Sequence, residues 1–99
     1  MGIDIEWIDE NNETIDSLLD NNNKLLHFLN NEFILSSSLL KYVDFYGDTI
    51  FNQLQIPEIL LEFENYLKIN KEKEMLNYTI YFIKQHINEP HTYLKFIGD

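Results

Sequence analysis

The side chains best suited to metal chemistry are two aspartates around a glycine and two histidines near the C-terminus. Asp44 and Asp48 flank Gly47, and a strand that brought His91 and Asp99 close could complete a set of carboxylate and imidazole ligands for a divalent cation. The two aspartates equally fit a turn in which Asp accepts hydrogen bonds from backbone amides. Their spacing therefore leaves a metal site and a structural turn as alternatives.

His86 and His91 enclose Glu89 and Pro90, an arrangement that could form a compact two-histidine zinc pocket. His86, however, falls among the apolar positions of a predicted helix, where a histidine more often packs and donates one hydrogen bond. No nucleophile stands at a recognisable spacing from either histidine. We assign no catalytic residue and no cofactor, and keep the two histidines and the two aspartates as weak metal candidates.

The beginning of the chain is strongly acidic. Seventeen carboxylates face seven lysines and no arginine, which gives a formal net charge of −10. Seven carboxylates precede the first basic residue, Lys24: Asp4, Glu6, Asp9, Glu10, Glu13, Asp16 and Asp20. Such a field repels nucleic acid and anionic membranes and speeds encounter with a basic protein, although many acidic surfaces serve only solubility.

Two predicted binding surfaces follow from side-chain positions. Asp4 and Glu6 are two apart in a predicted strand, so they project from the same side, and with Asp9 and Glu10 they form the acidic surface. The other surface is apolar. Its two residues, Leu61 and Tyr81, fall on the otherwise polar sides of two predicted helices, and Glu58 and Glu62 are among the neighbours of Leu61. If the two residues are adjacent, they form a docking or self-association site; isolated exposed apolar residues are the alternative.

These side chains must be positioned by the following elements. Alternation of apolar and acidic residues predicts a strand over residues 3–7, followed by a turn at 9–12. Ile15, Leu18 and Leu19 fit a short helix, the run of asparagines at 21–23 breaks it, and residues 25–29 fit a second short piece. We predict a strand at 39–43, because Asp44 and Gly47 then mark a type I turn.

The second half of the chain has a clearer pattern. Pro57 suits the first turn of a helix that runs to about Lys68. Asn70 can cap a second helix, which ends before Pro90. The short connection predicts an antiparallel helix hairpin. Residues 91–99 are predicted to form a C-terminal strand.

Composition indicates one α+β domain, residues 1–99, in which a small sheet packs on the helix hairpin; its strands are the N-terminal strand, the strand near 39–43 and the C-terminal strand. The chain contains no cysteine, no apolar run of membrane-spanning length and no secretion signal. We therefore expect a cytoplasmic protein.

Two stretches carry a family resemblance: Asp44-x-Tyr46-Gly47-Asp48-Thr49-x-Phe51-Asn52-x-x-Gln55-x-Pro57, and His91-x-Tyr93-Leu94-Lys95-Phe96-Ile97-Gly98-Asp99. With the helix pair between them, residues 39–99 resemble a family of small bacterial proteins of unassigned function. The resemblance implies a bacterial intracellular protein in which turn, hairpin and C-terminal strand form one unit. It implies no activity, cofactor or substrate.

The sequence therefore favours a small acidic binding module, of the immunity or inhibitor type, that occludes a basic protein partner. One alternative is a metal-binding or small-ligand-binding domain, or an enzyme, that uses Asp44, Asp48, His86 or His91. Another is a self-associating structural protein, a homodimer for example, that uses Leu61 and Tyr81. Binding to nucleic acid or to a membrane is not expected.

Overall fold

The computed structural model describes residues 2–69 and 73–98. The strands in these ranges are β1 (Asp4–Asp9), β2 (Thr14–Leu18), β3 (Asp48–Phe51) and β4 (Thr92–Ile97). They form one antiparallel sheet in the order β2-β1-β4-β3. The α-helices are α1 (Lys24–Leu29), α2 (Ile56–Leu67) and α3 (Lys73–His86). The predicted α+β class is confirmed.

One face of the sheet carries the largest buried side chains. Ile5 lies opposite Phe96 and Trp7 lies opposite Leu94, and all four side chains are fully buried. The helices α2 and α3 are consecutive and pack against each other. They cover this face, because the ring of Phe82 in α3 meets the Trp7 ring edge-on at 6.2 Å. The sheet therefore has one face towards the helices and the core.

Residues 14–18 form a strand, so the short helix predicted from Ile15 and Leu18 is wrong. The carboxylate of Asp9 accepts hydrogen bonds from two backbone N–H groups of the following turn, at 2.8 and 3.0 Å. This closes a tight hairpin and returns the chain alongside β1. Pairing with β1 satisfies the backbone groups of residues 14–18, which outweighs a helix-like spacing of three apolar residues. The second predicted piece is helical, as α1.

Residues 39–43 do not form the predicted strand but contain a 3-10 turn, Leu40–Tyr42. The carboxylate of Glu62 accepts hydrogen bonds from the backbone N–H groups of Leu39 and Leu40, at 3.1 and 3.2 Å. These amides are thus satisfied by a side chain rather than by a neighbouring strand. Glu62 is only 8% exposed, so its predicted place on the open side of the helix is also wrong. Besides β1, the strand that pairs with β4 is β3, not the predicted strand at 39–43. With β2, the described ranges contain four strands.

The start of α2 is built by Asn52 and Gln55. Asn52 Oδ1 accepts a hydrogen bond from the backbone N–H of Gln55 at 3.1 Å, and Gln55 Oε1 accepts one from the backbone N–H of Asn52 at 2.9 Å. These reciprocal bonds order the turn that leads into α2, where the backbone N–H of Gln55 also donates to the carbonyl oxygen of Asn52 at 3.0 Å. Pro57 stands in the first turn, as predicted. The predicted cap Asn70 lies outside the described residues.

The ends of the later elements match the sequence pattern. α3 ends at His86, before Pro90, and β4 covers Thr92–Ile97 within the predicted 91–99. Within residues 2–69 and 73–98, no helix combines the length and apolarity needed to cross a membrane.

Candidate functional site

The Asp44 to Asp48 segment forms a turn whose polar groups bond to one another. Asp44 Oδ1 accepts a hydrogen bond from the backbone N–H of Tyr46 at 2.8 Å, and the backbone N–H of Asp44 donates to Thr49 Oγ1 at 2.9 Å. Asp48 begins β3, and its carboxylate is 3.6 Å from Lys95 Nζ. The Asp44 carboxylate therefore orders the turn, whereas that of Asp48 is available on the sheet.

The sequence stretches 44–57 and 91–98 meet at this turn. β3 pairs with β4, and the backbone N–H of Gly98 donates to the carbonyl oxygen of Gly47 at 2.7 Å. A Cβ atom at Gly98 would lie 2.5 Å from the carbonyl carbon of Phe45. Only glycine permits this approach of two backbone segments. Both glycines therefore serve the joint between turn and strand.

His86 is held between two carboxylates. Its Nε2 is 2.8 Å from Asp16 Oδ2 and its Nδ1 is 2.6 Å from Glu89 Oε2, while its ring lies 5.4 Å from that of Trp7 at a tilt of 30°. Burial alone would lower the pKa of His86. The hydrogen bonds to Asp16 and Glu89 have the opposite and larger effect, so the pKa of His86 is raised above its ordinary value of 6.5. In return, the hydrogen bond from His86 holds the pKa of Asp16 below its ordinary value.

This cluster favours a protonated histidine rather than a metal. With a carboxylate on each ring nitrogen, both nitrogens act as donors, which only the imidazolium can do. A metal would need one nitrogen free of its proton, and the two carboxylates lie against different nitrogens. No group of three or more potential metal ligands assembles among residues 2–69 and 73–98.

The remaining metal candidates lie far apart. His91 precedes β4 and its ring is 3.7 Å from Glu10, whereas Asp48 pairs with Ile97 at the other end of β4. Six residues of strand separate these ends by about 20 Å. His86 lies on the inward side of the sheet. The structure therefore does not bring together the four residues on which the metal and enzyme alternatives depend.

The outward face of the sheet is the surface on which charged and apolar groups do come together. The register aligns Glu6, Lys95 and Ile50 in one row across β1, β4 and β3, and Ile8 with Tyr93 in another. Half of the Ile50 surface is exposed. We call this surface the open face and define it by seven residues: Glu6, Ile8, Glu10, Asp48, Ile50, Tyr93 and Lys95.

The floor of the open face is apolar and its edge is acidic. A shallow depression is lined by Ile8, Ile50 and Tyr93 together with Glu10 and Asp48. At its centre Lys95 reaches Asn12 Oδ1 at 3.3 Å in addition to Asp48. The open face thus contains three carboxylates and one amine, which leaves an excess of negative charge beside apolar side chains.

The four predicted acidic residues divide into two classes. Glu6 and Glu10 belong to the open face, although Glu6 Oε1 also accepts a hydrogen bond from the Thr14 hydroxyl at 3.1 Å. Asp4 Oδ1 accepts a hydrogen bond from the backbone N–H of Asp20 at 2.7 Å, and Asp9 caps the hairpin turn. Asp4 and Asp9 therefore have structural roles. Sequence reasoning missed Ile8, Ile50 and Tyr93, although period-two alternation in β1 and β4 could have revealed two of them.

The predicted apolar pair lies on the opposite side of the molecule. Leu61 is 50% exposed and Tyr81 68% exposed. Glu64 stands three residues after Leu61, and Lys84 stands three residues after Tyr81. These two charged side chains form an ion pair of 3.2 Å between α2 and α3. Residues three apart share a helix face, so Leu61 and Tyr81 lie on the sides of α2 and α3 that this ion pair spans.

The chain matches no protein-family model, no curated protein and no solved structure. Its function is therefore argued from geometry and charge.

Proposed function

We propose that this protein is an acidic binding module that docks on a basic protein through the open face of its sheet. In the form we favour, it acts as an immunity or inhibitor type protein that covers the functional surface of its partner. The observation that carries the proposal is the combination of an apolar floor, in which Ile50 and Tyr93 are at least partly exposed and Ile8 is buried, with an acidic edge, Glu6, Glu10 and Asp48. A chain without cysteine suits the cytoplasmic setting that we propose for it.

The charge distribution supports a basic partner. Residues 1–55 contain ten carboxylates and two lysines, a formal charge of −8 out of −10 for the whole chain. A potential of this sign raises the rate of encounter with a cationic protein, and its effect falls as ionic strength rises. Long-range attraction alone gives little specificity, so the contact surface must supply the rest.

The open face offers the two kinds of contact that such a complex needs. Tyrosine side chains are typical anchors at the centre of an interface, where apolar neighbours help to exclude water, whereas charges act at its rim. Tyr93 and Ile50 provide the first kind and Glu10 and Asp48 the second. We expect the partner to present an aliphatic or aromatic side chain flanked by lysine or arginine.

Affinity capture with a charge-matched control tests this proposal. The full chain is immobilised beside two triple variants: Glu6→Gln, Glu10→Gln, Asp48→Asn on the open face, and Glu32→Gln, Glu58→Gln, Glu74→Gln at exposed sites elsewhere. Both variants have lost three charges. A basic protein that binds the wild type and the control at low salt, and that the open-face variant no longer retains, is the expected result.

The captured protein is then purified for quantitative binding and inhibition assays. We expect its Kd for the open-face variant to rise at least about tenfold, since several rim charges are lost, and its activity to be blocked by the wild type. Equal weakening by both variants would mean unspecific charge attraction. Unchanged binding by the open-face variant would place the docking surface elsewhere.

A further inference from the structure

We propose that a second copy of this chain binds to an apolar band on the helical side, opposite the open face, so that the protein forms a two-fold dimer. The band consists of Leu19, Tyr78, Tyr81 and Leu61, which are 72%, 60%, 68% and 50% exposed. This inference does not depend on the proposed function, because the two surfaces share no residue.

The band draws its residues from three parts of the fold. Tyr78 and Tyr81 are three residues apart and so neighbours on α3. The Glu64 to Lys84 ion pair joins their side of α3 to the side of α2 that carries Leu61. At the other end, Tyr78 and Leu19 line one small cavity between α3 and the segment that follows β2.

Charge identifies the occupant of the band as another copy. Residues 56–88 contain five glutamates and four lysines, a formal charge of −1, against −8 for residues 1–55. Leu61, Tyr78 and Tyr81 belong to this nearly neutral hairpin, where a cationic partner gains little, whereas two copies that meet on it keep Glu6, Glu10 and Asp48 of their open faces apart. In a two-fold interface each residue meets the same surface reversed.

The shape of the band also fits its own reversed copy. The cavity beside Leu19 has a volume of about 60 Å³, and Leu18, Met75 and Tyr78 are part of its wall. A void of this volume holds several water molecules and so suits one aliphatic side chain. We propose that Leu61 of the second copy fills this cavity.

The area of the band sets the expected strength of the dimer. Helices of 12 and 14 residues are about 20 Å long and, side by side, about 20 Å wide, so a contact that covers both buries roughly 400 to 500 Å² on each copy. The total is close to the lower limit for a specific interface. We therefore expect a dimer with a Kd in the micromolar range.

Sedimentation equilibrium of the full chain from about 2 to about 500 μM tests the proposal. The average mass should rise from the 11.9 kDa of the monomer towards twice that value. Tyr81→Ser and Leu61→Ser should each raise the dimer Kd at least about tenfold, since both remove an anchor side chain. Tyr42→Ser removes a tyrosine that is 65% exposed outside the band and should leave the Kd unchanged.

The outcomes distinguish this dimer from the proposed function. The open-face triple variant should dimerise like the wild type. A wild-type chain that stays monomeric at the highest concentration overturns the proposal, and so does a dimer that both band variants leave intact. Thermal unfolding confirms that each variant is folded; if one is not, the other band variant decides the outcome.

Discussion

At the scale of single residues, His86 shows how a side chain suited to metal binding can instead cross-link a fold. It joins Asp16 on the edge strand β2 to Glu89 just after α3, and it packs against Trp7. Each carboxylate is about 40% exposed, so solvent screens the ion pairs, whereas the histidine side chain is only 9% exposed. The cluster therefore attaches β2, which lies at the edge of the sheet, to the end of a core helix.

Replacing His86 with glutamine tests this attachment and its pH dependence. The raised pKa of His86 means that its contribution is complete below pH 6.5 and is lost as pH rises through the raised value. The lowered pKa of Asp16 means that its contribution is present above pH 3.8 and is lost as pH falls through the lowered value. We expect His86→Gln to lower the free energy of unfolding by about 2 kcal/mol between these limits, from lost ion pairs and ring packing.

Urea unfolding from pH 4 to pH 9 measures this difference. The deficit of His86→Gln relative to the wild type should shrink as pH rises above 6.5, because the wild-type histidine loses its proton. His27→Gln, at an exposed histidine in α1, is the matched control and should show no such trend. A deficit that is constant over the whole range would contradict a charged His86.

At the scale of elements, side chains from distant parts of the sequence decide where the backbone can pair. The Glu62 carboxylate in α2 holds the 3-10 turn at 40–42 through two backbone amides. Leu40 and Val43 of this segment are buried, 1% and 7% exposed, so the turn closes one side of the core. The segment is apolar enough for a strand, but its amides bind a helix side chain instead.

Glu62→Gln should loosen this turn selectively. The substitution keeps the shape but replaces one of the two accepting oxygens with an amide nitrogen, which leaves a backbone N–H group without its acceptor. We expect a loss of about 1 to 2 kcal/mol in the free energy of unfolding, with faster hydrogen exchange at Leu39 and Leu40. Glu58→Gln on the exposed side of α2 is the control. Equal exchange rates in both variants would show that Glu62 does not hold the turn.

At the scale of the whole molecule, negative charge is separated from the neutral helix hairpin. Residues 1–55 carry −8 and residues 56–88 carry −1, and the open face adds exposed apolar groups to the acidic side. Clustered like charges destabilise a folded chain through mutual repulsion. Carboxylates that serve binding are therefore expected to reduce stability.

This cost should be visible in the salt dependence of thermal unfolding. Raising NaCl from about 10 mM to about 500 mM shortens the Debye length from about 30 Å to about 4 Å, and we expect the Tm of the wild type to rise by about 5 °C. The open-face triple variant should have a higher Tm in low salt and a smaller rise. The control variant, Glu32→Gln, Glu58→Gln, Glu74→Gln, should differ less from the wild type, both in its Tm in low salt and in the rise of its Tm with salt. If the Tm of the two triple variants depends on salt in the same way, the repulsion between carboxylates is not concentrated on the open face.

Several elements were predictable because their signals are local. The alternation in β1, the proline in the first turn of α2, the apolar stripe of α3 and the stop before Pro90 each depend on a few adjacent residues. The helix predicted at Ile15 and the strand predicted at 39–43 failed for the opposite reason. Short apolar runs fit either period, and long-range partners, β1 in one case and Glu62 in the other, selected the conformation.

The sequence by itself determined the fold class, the excess of negative charge and its concentration before Lys24, because these follow from composition and local periodicity. Only the tertiary structure decided which carboxylates are engaged, since Asp4, Asp9 and Asp44 bind backbone amides while Glu6, Glu10 and Asp48 surround an apolar floor. It also placed His86 between two carboxylates, one of them 70 residues away in the chain. Strand register and helix packing create such neighbours, and no local pattern encodes them.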